Sequence, residues 1–150
     1  MPAFTYRYPV PDEELYDVGN WHSPYFFLAF FKARIALFES FGVTQEKIKD
    51  AGFAIVIDEL HSKYRRPLLK GDVAFIEIAL VEIKESQMIF LYKVRKEGDL
   101  SLKIHAEGLT VQVLIDRVKI VKAPLPDWIR ELLEKIDKVP WPEWMKGIIT

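Results

Sequence analysis

Two kinds of hydrophobic patterning divide the chain. Between Tyr25 and Phe41 the apolar residues Phe26, Phe27, Leu28, Phe30, Phe31, Ile35, Leu37, Phe38 and Phe41 surround nearly the whole axis of a helix, leaving Lys32, Arg34, Glu39 and Ser40 as polar exceptions. A helix with so little polar face has to be enclosed by protein. Ser23-Pro24 marks its start, because a serine oxygen can cap a free amide and proline fits the first helical turn without losing a bond. Gly42 marks its end, since a glycine tolerates the positive φ of a helix C-terminus. After a short helical turn over 44–51, the pattern changes to long runs of Val, Ile, Phe, Tyr and Leu over 53–64, 72–84, 87–96 and 100–116, which predict strands.

The links between these strands fix their direction. Glu85-Ser86 and Glu97-Gly98-Asp99 are too short for a parallel crossover, so the strands they join must be antiparallel. Pro67 interrupts the chain between the first two long runs. An extended run over 4–10 and an irregular acidic segment over 11–22 precede the helix. Near the end, Ile129, Leu132, Leu133 and Ile136 fall on the stripe of an amphipathic helix. The prolines and tryptophans of 139–145 then exclude a regular helix. The reading is an α+β domain over 1–138, one hydrophobic helix beside a large antiparallel sheet with a C-terminal helical extension, followed by a Pro/Trp-rich tail over 139–150.

Composition narrows the chemistry. With 150 residues, half of them apolar, the chain can bury one real core. It has no cysteine, which removes a disulfide framework, a thiolate metal site and a thiol nucleophile together. A net charge of -1 argues against a general nucleic-acid binder. The most hydrophobic stretch, 25–31, is too short to span a bilayer, and 1–8 lacks the basic start and apolar centre of a signal peptide, so a cytoplasmic location is expected. Asn20 is the single asparagine and Gln45, Gln87 and Gln112 are the only glutamines, a scarcity of thermolabile amides that suits a thermophile.

In local order the sequence resembles the 4-hydroxybenzoyl-CoA thioesterase-like branch of the hotdog fold. The matching pieces are Asp17-Val18-Gly19-Asn20-Trp21-His22-Ser23-Pro24-Tyr25, then Phe30-Phe31-Lys32-Ala33-Arg34, then Tyr64-Arg65-Arg66-Pro67 with Gly71-Asp72, and later His105-Ala106-Glu107-Gly108. The resemblance covers about 4–136 and leaves the tail outside. It implies a long antiparallel sheet wrapped around a central hydrophobic helix, acyl-CoA thioesterase activity, and a homodimer or homotetramer with sites between subunits. The loop departs from the family pattern. Aligned without a gap, Glu14 and Tyr16 stand where the family has two aspartates; aligned on His22 and Tyr25, Asp17 comes closest to the catalytic aspartate.

The implied chemistry can be stated by residue. Thioester hydrolysis needs a carboxylate as base or nucleophile, here Asp17 or Glu14, and donors for the developing oxyanion. Amides at the helix start around His22, Ser23 and Tyr25 can supply the donors, while Pro24 has none. The His22 ring could bond the substrate carbonyl or the carboxylate, or only pack beside Trp21. Tyr25 with the basic cluster Lys63, Arg65, Arg66 and Lys70 is the candidate contact for coenzyme A, which enters as part of the substrate and not as a cofactor. No resident metal is expected: His61 and His105, each two positions from a glutamate, read as solvent-facing strand positions. Lys32 and Arg34 on a buried helix call for a salt bridge to a strand acid or a neighbouring subunit. The competing reading is an acyl-CoA binding or regulatory module whose carboxylates only shape the loop.

Overall fold

The structure, a computed structural model, describes residues 4–147. Residues 1–3 and 148–150, the latter the last residues of the tail, lie outside the described residues. The elements run β1 (Phe4–Pro9), α1 (Ser23–Ser40), α2 (Gln45–Asp50), β2 (Phe53–Tyr64), β3 (Val73–Ile83), β4 (Gln87–Lys96), β5 (Ala106–Asp116), the two-residue β6 (Val121–Lys122) and α3 (Asp127–Glu134). The sheet has the order β1-β3-β4-β5-β2, with every pair antiparallel and β6 added on β5. β1 and β2 are therefore at opposite edges, and the segment that joins them carries α1 across the whole inner face. This is the hotdog architecture that the resemblance implies.

Alternation along the strands sorts their side chains onto two faces. Met88, Phe90, Tyr92, Val94, Ala106 and Leu114 point inward to join Phe26, Phe30, Leu37 and Phe38 of α1 in the main core. Phe30 stacks on Tyr92 with ring centroids 4.6 Å apart. Beneath that stack lies Gly108, where an added Cβ would fall 2.3 Å from a Phe30 ring carbon. Only a glycine lets the helix approach the sheet this closely. Ile89, Leu91, Leu109 and Val111 point outward, where Val139, Trp141, Trp144 and Met145 of the tail cover them. The tail is stitched down by Leu80, whose N–H donates to the Asp137 carbonyl at 3.0 Å and whose carbonyl accepts from the Val139 N–H at 2.9 Å.

Several local expectations change. β5 starts at Ala106 and not at Leu100. The Asp99 carboxylate accepts from both the N–H and the hydroxyl of Ser101, Leu102 takes a φ of 55°, and the Arg95 guanidinium donates to the Leu102 carbonyl. Residues 97–105 are thus folded into a wide loop that spoils strand geometry despite their apolar content. Ser23 is the first helical residue, not the cap; His22 holds the cap position without a side-chain bond. Finally, α1 is not enclosed on all sides within one chain, since Leu28 and Phe31 remain 37% and 40% exposed. They face away from the sheet, which can cover only one side of a helix.

Candidate active site

The loop between β1 and α1 is held by one buried carboxylate. Glu14 is 8% exposed, and its two oxygens sit 3.0 and 2.8 Å from the Tyr8 hydroxyl that donates to them. The Trp21 indole N–H donates to the same group at 3.1 Å. Burial, and then the bond to Glu14, push the Tyr8 phenol well above its usual range, so it stays a donor. A carboxylate buried in this way is stable only because its lone pairs are taken. Glu14 is consequently occupied in pinning the loop to β1.

Beyond that pin the chain makes a tight excursion. The Gly19 N–H donates to the Tyr16 carbonyl at 3.0 Å and the Tyr16 N–H to the Asn20 carbonyl at 2.7 Å, with Gly19 at a φ of 91°. The turn lifts Asp17 and Val18 into solvent. Among the described residues the Asp17 carboxylate has no hydrogen-bond or ion-pair partner. The chain then returns so that the His22 N–H donates to the Glu14 carbonyl at 3.0 Å.

This return decides which helix-start amides are free. His22 is used by Glu14, the Tyr25 N–H is taken by the His22 carbonyl at 3.0 Å, and Pro24 has no N–H. Among the described residues, the Ser23 N–H is left without an acceptor. It opens on a cleft of about 490 Å3 whose walls include Tyr16, Asn20, His22, Tyr64, Arg65 and Arg66. The helix dipole and this amide make the cleft receptive to a negatively charged oxygen.

The predicted site residues are thus partly assembled. The structure brings His22, Ser23, Arg65 and Arg66 to one cleft. Glu14 lies buried behind it, and Asp17 stands on the adjoining turn and not on the wall. Tyr25 is half-buried, its ring 6.3 Å from that of His22. Lys63 is on β2 opposite Glu107, and Lys70 is drawn to Asp12 at 4.0 Å; neither lines the cleft. The His22 ring stacks on Tyr16 with centroids 4.7 Å apart.

Three wall residues escaped the sequence reading. Tyr16 and Tyr64 were visible only as places in the family pattern. Asn20, whose side-chain oxygen is buried without a donor among the described residues, was visible only inside the matching loop piece and as the single asparagine.

Elsewhere, one expectation about ionisable side chains is corrected. His105 is neither exposed nor in a strand: it is 6% exposed, with Nδ1 3.4 Å from the Pro67 carbonyl and Nε2 3.6 Å from Asp99. His61 stays on β2, where it meets Glu59 at 3.0 Å. Among the described residues, no three His, Asp or Glu side chains are close enough together to hold a metal ion. Lys32 and Arg34 find no acid within the described chain. Lys32 lies 5.2 Å over the Tyr8 ring, and Arg34, 6% exposed, donates to the Tyr92 hydroxyl at 3.0 Å and faces the Phe31 ring. Arg34 borders a second cavity of about 540 Å3 between α1, α2 and the β2 edge, together with Gln112, whose buried side-chain oxygen also lacks a donor. No helix among the described residues is long and apolar enough to cross a membrane.

With this geometry in place, comparison with known proteins identifies the lineage. Residues 16–133 match the thioesterase-like superfamily. A protein of Aquifex aeolicus (strain VF5) that carries a provisional esterase name is 31% identical over 134 residues, covering 89% of this chain and 97% of its own length. Among solved structures, a Staphylococcus aureus protein in complex with CoA superposes with a TM-score of 0.83 at 16% identity, covering 100% of this chain and 97% of that one. The 1,4-dihydroxy-2-naphthoyl-CoA thioesterase Slr0204 from Synechocystis superposes with a TM-score of 0.80 at 19% identity, covering 87% and 95%. These last two likenesses establish the fold. The family match takes in the loop from Tyr16 onward and the helix start that build the cleft, and the chain belongs to the thioesterase-like superfamily, as a thioester hydrolase of hotdog architecture.

Proposed function

We propose that the protein hydrolyses an acyl-CoA thioester in the cleft at the start of α1. The observation that carries this reading is the Ser23 N–H, an unpaired amide at a helix N-terminus opening on a cleft that Arg65 and Arg66 border. The thioester oxygen accepts from this amide, and the bond strengthens as negative charge grows on that oxygen. Asp17 takes the proton of the attacking water. The water oxygen bonds to the carbonyl carbon, the carbon–sulfur bond breaks, and the leaving thiolate receives the proton. Asp17 suits this task better than Glu14, because it is exposed and unpaired whereas Glu14 already accepts from Tyr8 and Trp21.

The assembly extends this reading. β2 is an edge strand with Val56, Ile57, Leu60 and Tyr64 between 37% and 45% exposed, and Leu28 and Phe31 of α1 are uncovered as well. An edge of this kind is a natural place for self-pairing, so the working unit is a homodimer or a pair of dimers that encloses α1. Two solved neighbours bear on the substrate: one is a CoA complex, the other acts on an aromatic acyl-CoA.

The test is turnover of an acyl-CoA panel followed with a thiol reagent. Asp17→Asn should lower kcat about 100-fold or more while leaving the melting temperature unchanged. Turnover at the full rate in Asp17→Asn would remove the base from this mechanism. One observation favours a second reading, a non-catalytic acyl-CoA binder: among the described residues no carboxylate lines the cleft itself. Tight acyl-CoA binding with no turnover would select it.

A further inference from the structure

The outer face of the sheet carries a larger cleft that the chemistry above does not use. It encloses about 840 Å3 between β4, β5, the 97–105 loop and the C-terminal tail. Trp141 and Trp144 form its aromatic side. Arg65, Arg66, Lys93, Lys103 and Lys146 bring positive charge to it, against Glu107 and Glu143. Both acids are already engaged: Glu107 pairs with Arg65 at 2.7 Å and Glu143 with Lys146 at 2.6 Å. Among the described residues, Arg66, Lys93 and Lys103 have no carboxylate partner. Three uncompensated cations in one cleft are a strong local bias in a chain whose net charge is -1.

The indoles point the same way. The Trp141 N–H is bonded to Glu82 at 3.1 Å, which fixes its ring. The Trp144 indole also lines the cleft, while its N–H is buried and has no acceptor among the described residues. Indole faces stack on planar bases, lysines neutralise phosphates, and arginine binds them in bidentate fashion. Arg65 and Arg66 line this cleft and also the cleft at the start of α1, so the two open on either side of one arginine pair.

We propose that this tail-covered cleft binds the phosphorylated nucleotide end of the acyl-CoA substrate. The base stacks on an indole of the tail, and the phosphates are held by Arg66, Lys93 and Lys103. The inference rests on the thioesterase reading for its ligand and shares Arg65 and Arg66 with the first cleft, but Lys93, Lys103 and the tail are not part of that cleft, and the tail lies outside the matched family segment of 16–133.

The test uses adenosine 3′,5′-bisphosphate as probe, with calorimetry on the full chain, and compares turnover of one acyl-CoA with the same acyl group on pantetheine. Binding of the bisphosphate is expected, and Lys93→Glu combined with Lys103→Glu should weaken it about tenfold or more. The same pair should reduce the preference for acyl-CoA over acyl-pantetheine about tenfold, through KM. Trp141→Leu serves as a second variant and should also weaken the probe. If both thioesters are hydrolysed equally well and the bisphosphate does not bind, the nucleotide site is overturned while the hydrolase reading stands. If the bisphosphate binds in a lysine-dependent way but neither thioester is cleaved, the site stands and the hydrolase reading falls. Binding of single-stranded oligonucleotides that tightens with their length, and exceeds that of the bisphosphate, would also overturn the proposal.

Discussion

The inner and outer faces of the sheet are covered in opposite ways. The inner face is filled by one long helix, and the fit is close enough that a residue without a side chain, Gly108, is required beneath Phe30. The outer face is covered only by a short irregular tail, whose Met145 and two indoles seal part of it and leave the rest as a cleft lined by cations. A long regular element brings a continuous apolar surface and packs closely along most of a face. A tail held at a few points closes part of it and leaves room for a ligand.

The difference can be broken at its tightest point first. Gly108→Ala places a methyl group against the Phe30 ring, and the Phe30–Tyr92 stack leaves little room to yield. A loss of about 3 kcal/mol is expected by urea unfolding, at the upper end for overpacking a core. An unchanged midpoint would mean that the inner face is looser than its geometry implies.

Met145→Ala addresses the outer face. Met145 is 1% exposed, yet its neighbours on the tail border an open cleft and can settle into the space it leaves. About 2 kcal/mol is expected, the low end for such a deletion. A cost larger than that of Gly108→Ala would reverse the ranking of the two faces.

The smallest effect is read from the polar rim of the inner face, through pH. Burial and the bond to Glu14 raise the Tyr8 phenol in the folded state, whereas in the unfolded chain it titrates near its ordinary value of about 10. Below that value both states hold the proton and stability is indifferent to it. Above it the unfolded state loses the proton first, so stability falls as pH rises. Tyr8→Phe should flatten this alkaline decline in a series of thermal melts. A decline that persists unchanged would place its origin in another group.

Much of the fold was legible because periodic burial leaves a periodic sequence. The all-round apolar helix, the strand runs and the short link Glu85-Ser86 define α1 and the antiparallel sheet, and Gly42 with a φ of 80° ends the helix next to Phe41 as its sequence implies. The stripe of Ile129, Leu132 and Leu133 on α3, with Ile136 just beyond the helix end, is buried in the main core. Where the reading failed, a local polar bond outweighed composition. Leu100 and Leu102 have strand-like side chains, but the Asp99–Ser101 bonds and the positive φ of Leu102 hold them in a loop.

The candidate site was legible by residue type and illegible by role. The sequence excludes a thiol nucleophile, and its resemblance to the family offers Asp17 and Glu14 as the two candidate carboxylates of the loop. Only the tertiary structure separates those two, because hydrogen-bond partners are contributed by residues distant along the chain or across a turn. Tyr8 and Trp21 consume Glu14, while the turn at Gly19 exposes Asp17. The same holds for Arg65 and Arg66. In the sequence they are an ordinary basic cluster; at the end of the sheet, between the helix start and the tail, they join two clefts that no stretch of sequence contains.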